Sequence, residues 1–91
     1  MQVSFEMSLR LREVLGASAL SFDLPEGADL AHALQRLAAH LKTNRGAEFL
    51  RDGDLHPSFL VVMNGAVQAR ERNVPLHDGT SIQLLLPVAG G

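Results

Sequence analysis

A single helical pattern of leucines lies between segments whose apolar residues alternate, and this arrangement limits the folds open to the chain. Leu30, Leu34, Leu37 and Leu41 recur at spacings of four, three and four. These spacings place the four side chains on one face of a helix. Asp29 directly precedes the stripe and suits an N-cap, because its carboxylate can accept hydrogen bonds from backbone N–H groups. We therefore predict one main helix that begins after Asp29.

Two segments before this helix have the period of two that is typical of strands with one buried face. The odd-numbered residues from Val3 to Leu9 are apolar, and a similar alternation runs from Leu20 to Leu24. We predict that the two strands pair as a hairpin, with Leu11–Gly16 leading into the turn. On this prediction Leu9 belongs to the buried face of the first strand.

The segments after the helix predict three more strands. Phe59–Met63 is a continuous apolar run, and Asn64-Gly65 behind it is a strong two-residue turn signal. Val67–Arg70 forms the returning strand, and Ser81–Leu86 forms the last one. The predicted order is β-β-α-β-β-β. This is an α+β fold with one helix packed across one face of a mixed sheet, and with the last strand beside the first.

The sequence ends on Pro87-Val88-Ala89-Gly90-Gly91, directly after the last strand pattern. We expect a folded domain over residues 1–86 and a flexible tail over residues 87–91. Glycine has no Cβ, so such a tail can enter a narrow channel, and five extended residues reach roughly 17 Å. We hypothesise that the α-carboxylate of Gly91 is the working group of the protein. A frayed terminus without a function is the alternative.

The composition excludes several classes of function. The chain has no cysteine, which removes disulfides, zinc–thiolate sites and cysteine nucleophiles. Its formal net charge is −2, with 8 basic and 10 acidic residues and no basic stripe, so we expect no nucleic-acid partner. It contains no apolar segment of the roughly 20 residues that a membrane span needs, and no signal-peptide pattern. We therefore expect a cytoplasmic protein without a membrane partner.

The titratable residues form no convincing catalytic or metal-binding pattern. His32 and His40 are eight residues apart, and neither has a ligand partner four residues away. His56 and His77 lie in predicted loops. We expect no metal site and no catalytic constellation. The charged segment Arg70-Glu71-Arg72 reads as an exposed edge, with a role in pairing with an acidic enzyme groove as an alternative.

Leu85 is the residue of the last strand that we expect to face outward, because Ile82, Leu84 and Leu86 alternate with it toward the core. An outward apolar residue beside the tail suits a docking surface, although a single exposed leucine can also be without meaning. Phe59–Met63 must place apolar side chains on both sheet faces. Those opposite the helix either extend the docking surface or are covered by the loop over residues 46–57.

These motifs together resemble the MoaD/ThiS group of sulfur carriers, and the resemblance covers nearly the whole chain. The residues that carry it are Leu11-Arg12-Glu13 with Gly16, Leu24-Pro25-Glu26-Gly27-Ala28-Asp29, Asp78-Gly79 and Leu86-Pro87-Val88-Ala89-Gly90-Gly91. Within the group the chain is most similar to the small subunit of molybdopterin synthase. The resemblance implies the ubiquitin-like β-grasp fold.

It also implies a mechanism in which the chain is a protein cosubstrate and not an enzyme. An E1-like adenylyltransferase would use ATP and Mg²⁺ to join the Gly91 carboxylate to AMP. A sulfur donor would then displace AMP and leave a C-terminal thiocarboxylate. A partner enzyme, the large subunit of molybdopterin synthase in the nearest case, would accept the sulfur for molybdenum cofactor biosynthesis. Gly90, Ala89, Val88, Pro87 and Leu85 would contact these partners, and no cofactor would be bound permanently.

Three alternatives remain open at this point. Leu84-Leu85-Leu86 replaces the aromatic and proline residues usual before the tail, and Gly46–Ser58 is longer than in compact members. These departures allow a carrier for thiamine, cysteine or secondary-metabolite synthesis. A ubiquitin-like modifier that forms isopeptide bonds through Gly91 is the other class. The single lysine, Lys42, and the apolar tail favour sulfur carriage. A β-grasp interaction module with an inert tail is a third reading.

Overall fold

The computed structural model of the protein describes residues 1–68 and 72–86, and these contain two α-helices and seven strands. In chain order they are β1 (Gln2–Glu6), α1 (Leu9–Leu15), β2 (Ala19–Asp23), α2 (Leu30–Thr43), β3 (Leu50–Arg51), β4 (Asp54–Leu55), β5 (Leu60–Met63), β6 (Ala66–Val67) and β7 (Thr80–Leu85). A 3₁₀ turn over Ala47–Phe49 precedes β3.

Five of the strands form a mixed sheet in the order β2-β1-β7-β5-β6. β1 pairs antiparallel with β2 and parallel with β7, so the predicted pairing of the first two strands and the predicted position of the last strand are both confirmed. β5 pairs antiparallel with β7 and with β6. Asn64 and Gly65 form the turn between β5 and β6 with φ angles of 52° and 77°, as the sequence predicts.

Helix α2 crosses one face of this sheet with its leucine stripe inward. Leu30, Leu37 and Leu41 are fully buried, while Leu34 is half-buried at the margin. Asp29 is the predicted N-cap: its side chain accepts the backbone N–H of His32, and the His32 ring accepts the N–H of Asp29, both at 3.1 Å. No helix among the described residues combines the length and the hydrophobicity needed to cross a membrane.

The segment between β1 and β2 differs from the prediction. β1 ends at Glu6, and Leu9–Leu15 form helix α1 where we expected the end of a strand and a turn. Gly16 closes the helix with a φ of 71°, and its N–H donates to the carbonyl of Arg12 at 2.8 Å. The prediction fails because Leu9 and Leu11 continue the alternation of β1 beyond its end, so the period of two extends into a helix.

The residues between α2 and β5 lie on the helix side of the sheet. Helix α2 ends at Thr43, slightly before the stop that Gly46 suggests, and the N–H of Gly46 donates to the carbonyl of Leu41 at 2.8 Å. Phe49 is buried in the core, and the β3–β4 hairpin contacts α2. The loop over residues 46–57 therefore does not cover the opposite face of the sheet, which we call the open face.

Candidate docking surface at the end of the last strand

Strand β7 lies in the middle of the sheet and carries the chain toward its glycine-rich end. Ile82 and Leu84 are fully buried on the side of the sheet that faces α2. Both neighbouring strands, β1 and β5, pair with β7 over four residues. This fixes the position of Leu86, which packs half-buried against the core. The predicted site residues from Pro87 to Gly91 lie outside the described residues, so their role stays a prediction.

The open face carries apolar side chains next to the end of β7. Leu85 points outward, as its alternation predicts, and 44% of it is exposed. Leu60 lies opposite Leu85 in the β5–β7 register and is 37% exposed. Two residues further along β5, Val62 lies opposite Val67, which is 52% exposed. The even-numbered residues of β5 therefore face away from α2. Leu60 and Val62 are thus the residues of the continuous apolar run that lie opposite the helix.

Leu9 extends this surface from helix α1. At 66% it is the most exposed large apolar residue in the described part of the chain, whereas the predicted strand would have buried it. It lines a groove of about 520 Å³ together with Leu85, above the buried side chains of Met7 and Leu84. Helical periodicity could have indicated this exposure, because Leu9 lies about 160° around the helix from the buried Leu11.

We call the exposed set formed by Leu9, Leu60, Val67 and Leu85, together with the buried Val62 on the same face, the open apolar surface. Charged and amide groups border it. The amide of Gln83 donates to the carboxylate of Glu6 at 3.1 Å, between β7 and β1. Arg10 and Glu48 form an exposed ion pair at 3.4 Å beside Leu86. Such a rim contributes little to stability, but it can orient a partner.

The described residues do not assemble a catalytic centre near this surface. The side chain of Ser58 lies 2.7 Å from Nδ1 of His56, and its backbone N–H donates to the same nitrogen at 3.1 Å. These are contacts within one turn, and no hydrogen bond among the described residues links His56 to a carboxylate that would orient it. Residues 1–68 and 72–86 also hold no group of three potential metal ligands. The arrangement can bind a partner, and we find no described group positioned for acid–base work.

This arrangement defines a ubiquitin-like β-grasp protein. Its marks are a mixed sheet with the parallel strands β1 and β7 at its centre, a long helix that crosses the sheet, and an exposed surface at the end of the last strand. The comparison with family models then gives the family. The model of the ThiS family matches residues 9–91, and the chain belongs to this family of ThiS/MoaD-type sulfur carriers.

Solved structures of several small proteins share this fold. SAMP1 from Haloferax volcanii is 24% identical, with a TM-score of 0.76 and complete coverage of both chains. Urm1 from Trypanosoma brucei is 22% identical, with a TM-score of 0.68, and the match covers 99% of this chain and 95% of Urm1. A chain in the complex of subunits 1 and 2 of molybdopterin-converting factor from Helicobacter pylori is 24% identical, with a TM-score of 0.61 and complete coverage of both chains. The comparison with curated protein sequences gives no match.

Proposed function

We propose that this protein carries sulfur as a thiocarboxylate on Gly91 and donates it in cofactor biosynthesis, with molybdopterin as the first candidate product. One observation carries the proposal. In a chain of the ThiS family, the exposed pair Leu60 and Leu85 stands at the end of β7, directly before the segment Pro87–Gly91. A partner that covers this pair meets the start of the glycine-ended tail.

The chemistry requires activation, because a carboxylate oxygen is a poor leaving group. The Gly91 carboxylate attacks the α-phosphorus of ATP on an E1-like adenylyltransferase that supplies Mg²⁺, and pyrophosphate leaves. A sulfur donor then attacks the acyl carbon, AMP leaves, and a thiocarboxylate remains. The acceptor takes the sulfur, the C–S bond of Gly91 breaks, and a water molecule supplies the oxygen that restores the carboxylate. The chain itself acts in the cytoplasm as a cosubstrate. Its residues position the Gly91 carboxylate in the active sites of its partners.

The open apolar surface positions the tail by binding the partner. A partner that covers Leu85 and Leu60 removes apolar area from water, which contributes on the order of 1 kcal/mol for each partly exposed leucine. Leu9 lies across the groove from Leu85, so one partner can contact the sheet and helix α1 together. Docking of the domain places Gly90, Ala89, Val88 and Pro87 at the entrance of the partner's active site.

We place the large subunit of molybdopterin synthase first among the acceptors. The similarity to a chain of the Helicobacter pylori complex of subunits 1 and 2 supports this choice at the level of the fold. Carriage for thiamine, cysteine or secondary-metabolite synthesis is the alternative within the same chemistry. The acceptor is identified by the partner enzyme that consumes the thiocarboxylate and returns the carboxylate.

A ubiquitin-like modifier is the second candidate function, since the same fold occurs in SAMP1 and Urm1. In that case a lysine amine of a target protein attacks the activated Gly91, AMP or an enzyme thiol leaves, and an isopeptide bond forms. Lys42 is the only lysine of this chain and is exposed on α2, so self-linked chains would have a single linkage type through lysine.

Intact-mass spectrometry separates the candidates. The protein is incubated with an E1-like enzyme, ATP, Mg²⁺ and a sulfide source, with a variant lacking Gly91 as the control. Sulfur carriage predicts a mass gain equal to the exchange of one oxygen for sulfur, in the full chain alone. A gain of the whole chain on lysines of other proteins would support the modifier. Unchanged mass in the full chain and unchanged cofactor synthesis by the Gly91 deletion would refute both.

A further inference from the structure

Strand β2 forms one edge of the sheet. In the described part of the chain it pairs with β1 alone, and its five residues make it longer than β6, the two-residue strand at the other edge. β1 and β7 separate β2 from β5, although Ala19 at the start of β2 lines the same groove as Leu9 and Leu85. An edge of this length offers backbone groups to another chain.

The register identifies these groups. The N–H of Met7 donates to the carbonyl of Ser18 at 3.0 Å, and the N–H of Leu24 donates to the carbonyl of Met1 at 2.8 Å. Hydrogen-bonded and non-hydrogen-bonded pairs alternate along an antiparallel ladder. Leu20 therefore directs its N–H and C=O toward β1. The same groups of Ala19, Ser21 and Asp23 point outward from the sheet.

Basic side chains on α2 and directly after its end lie beside this edge. The guanidinium carbon of Arg36 lies 5.7 Å from the ring centre of Phe22 on β2. The ring of His40 meets the same phenylalanine edge-on at a centroid distance of 5.7 Å. Arg45 continues the line and lines a groove of about 560 Å³ with His40 and Leu20. Neither Arg36 nor Arg45 forms an ion pair with the described residues.

Two acidic groups also border the edge. Glu13 of α1 lines the same groove as Leu20 and Arg45. Asp23 lies at the far end of β2, where the N-terminal amine contacts its carboxylate at 3.3 Å. On the side of the edge that faces α2, Arg36 and Arg45 therefore supply two positive charges, against the one negative charge of Glu13.

We propose that the edge of β2 binds an extended acidic segment of a second protein as an additional strand. The outward N–H and C=O groups of Ala19, Ser21 and Asp23 pair with its backbone. Its apolar side chains enter the groove at Leu20, and its carboxylates lie near Arg36 and Arg45. At Ser21 and Asp23 this edge is two strands away from β5, so the segment can pair there without displacing a partner from Leu60.

A short capped peptide with an alternating valine–threonine core and glutamates at both ends is the probe. It is titrated into the full chain at low salt, and the backbone amides are followed by nuclear magnetic resonance and hydrogen exchange. The peptide should protect the amides of Ala19, Ser21 and Asp23. A matched peptide with lysines at both ends should bind about fivefold or more weakly, because its charges oppose those of α2.

The decisive variants are Ser21→Pro and Ser21→Thr. Proline removes the outward N–H without removing a hydrogen bond to β1, and edge strands tolerate it. Ser21→Pro should weaken binding roughly fivefold, and Ser21→Thr should bind as the native chain does. Equal affinity of the two variants, equal affinity of the two peptides, or protection that maps to Leu60 and Leu85 would each overturn the proposal.

Charge reversal provides a second test if Ser21→Pro fails to fold. Arg36→Glu should weaken binding of the glutamate peptide about fivefold and strengthen binding of the lysine peptide. Lys42→Glu is the matched control, because Lys42 lies about 160° around the helix from His40, on the opposite flank of α2. The same loss of affinity from Lys42→Glu would show that net charge, and not the edge, governs binding.

Discussion

Leu60 lies directly opposite Leu85 in the antiparallel pairing of β5 with β7, and both side chains point away from α2. The next pair along the strands, Val61 with Leu84, points the other way and is almost completely buried. One register therefore supplies a core pair and an exposed pair. A slip of one residue would exchange them, so the stability of the core also holds the exposed pair in place.

The first prediction concerns this exposed pair. Leu85→Glu places a charge in the centre of the open apolar surface, so a partner that covers the surface must desolvate a carboxylate. We expect the rate of adenylation by the E1-like enzyme, at limiting carrier concentration, to fall about tenfold or more. The free energy of unfolding should change by no more than about 0.5 kcal/mol, because the side chain is exposed.

Ser81→Glu is the control for this variant. Ser81 is exposed on the same strand and the same face, four positions before Leu85, so it lies about 13 Å from it. The same charge at this distance should leave the adenylation rate within about twofold of the native value. Equal losses from the two variants would mean that charge on the open face matters and that Leu85 does not form a docking contact.

A second prediction compares two leucines of helix α1. Leu11 is fully buried and Leu9 is largely exposed. Leu11→Ala should lower the free energy of unfolding by about 2–5 kcal/mol, whereas Leu9→Ala should lower it by no more than about 0.5 kcal/mol. Urea unfolding measures both. Similar losses would favour the strand that the alternation of the sequence predicts over helix α1.

The main helix and the strand order could be predicted from the sequence because their patterns are long. The stripe from Leu30 to Leu41 spans three turns, and Asp29 marks its start. Helix α1 could not be predicted in this way, because it has seven residues and buries only Leu11. A helix this short depends on tertiary packing, which a local pattern does not record.

The candidate site was predictable in part for a related reason. Leu85 stands in a strand with clear alternation, so its outward direction follows from Ile82 and Leu84. The run that contains Leu60 has no alternation, and only the pairing of Val61 with Leu84 decides which side faces the core. Leu9 was missed because its exposure depends on helix α1.

The third prediction concerns the pH dependence of stability. The backbone N–H of His32 donates to the Asp29 carboxylate and lowers the pKa of that group below its ordinary value of 3.8. Because the pKa is lower in the folded state, the unfolded chain binds the proton more readily. The cap therefore stabilises the fold fully above pH 3.8, and this contribution is lost as the pH falls through the folded-state pKa.

Asp29→Asn tests this assignment. The amide keeps an oxygen that can accept the N–H of His32 but does not titrate in this range. We expect thermal unfolding of this variant to depend less steeply on pH below 3.8 than that of the native chain. Asp52→Asn, in the β3–β4 turn, should retain the native dependence. An unchanged slope in Asp29→Asn would show that other carboxylates cause the acid sensitivity.

The fourth prediction concerns Gly46, which follows α2 with an ordinary negative φ of −95°. At an open site with such a φ, glycine to alanine usually stabilises a protein by about 0.4–1 kcal/mol, because alanine restricts the unfolded chain. Here a Cβ would lie 2.6 Å from Cδ2 and 2.9 Å from Cα of Leu41. Leu41 is fully buried and cannot move aside. Gly46→Ala should therefore lower the free energy of unfolding by about 1–3 kcal/mol. The sign of the change in urea unfolding decides the matter, since a stabilised variant would mean that the chain after α2 can move away from Leu41.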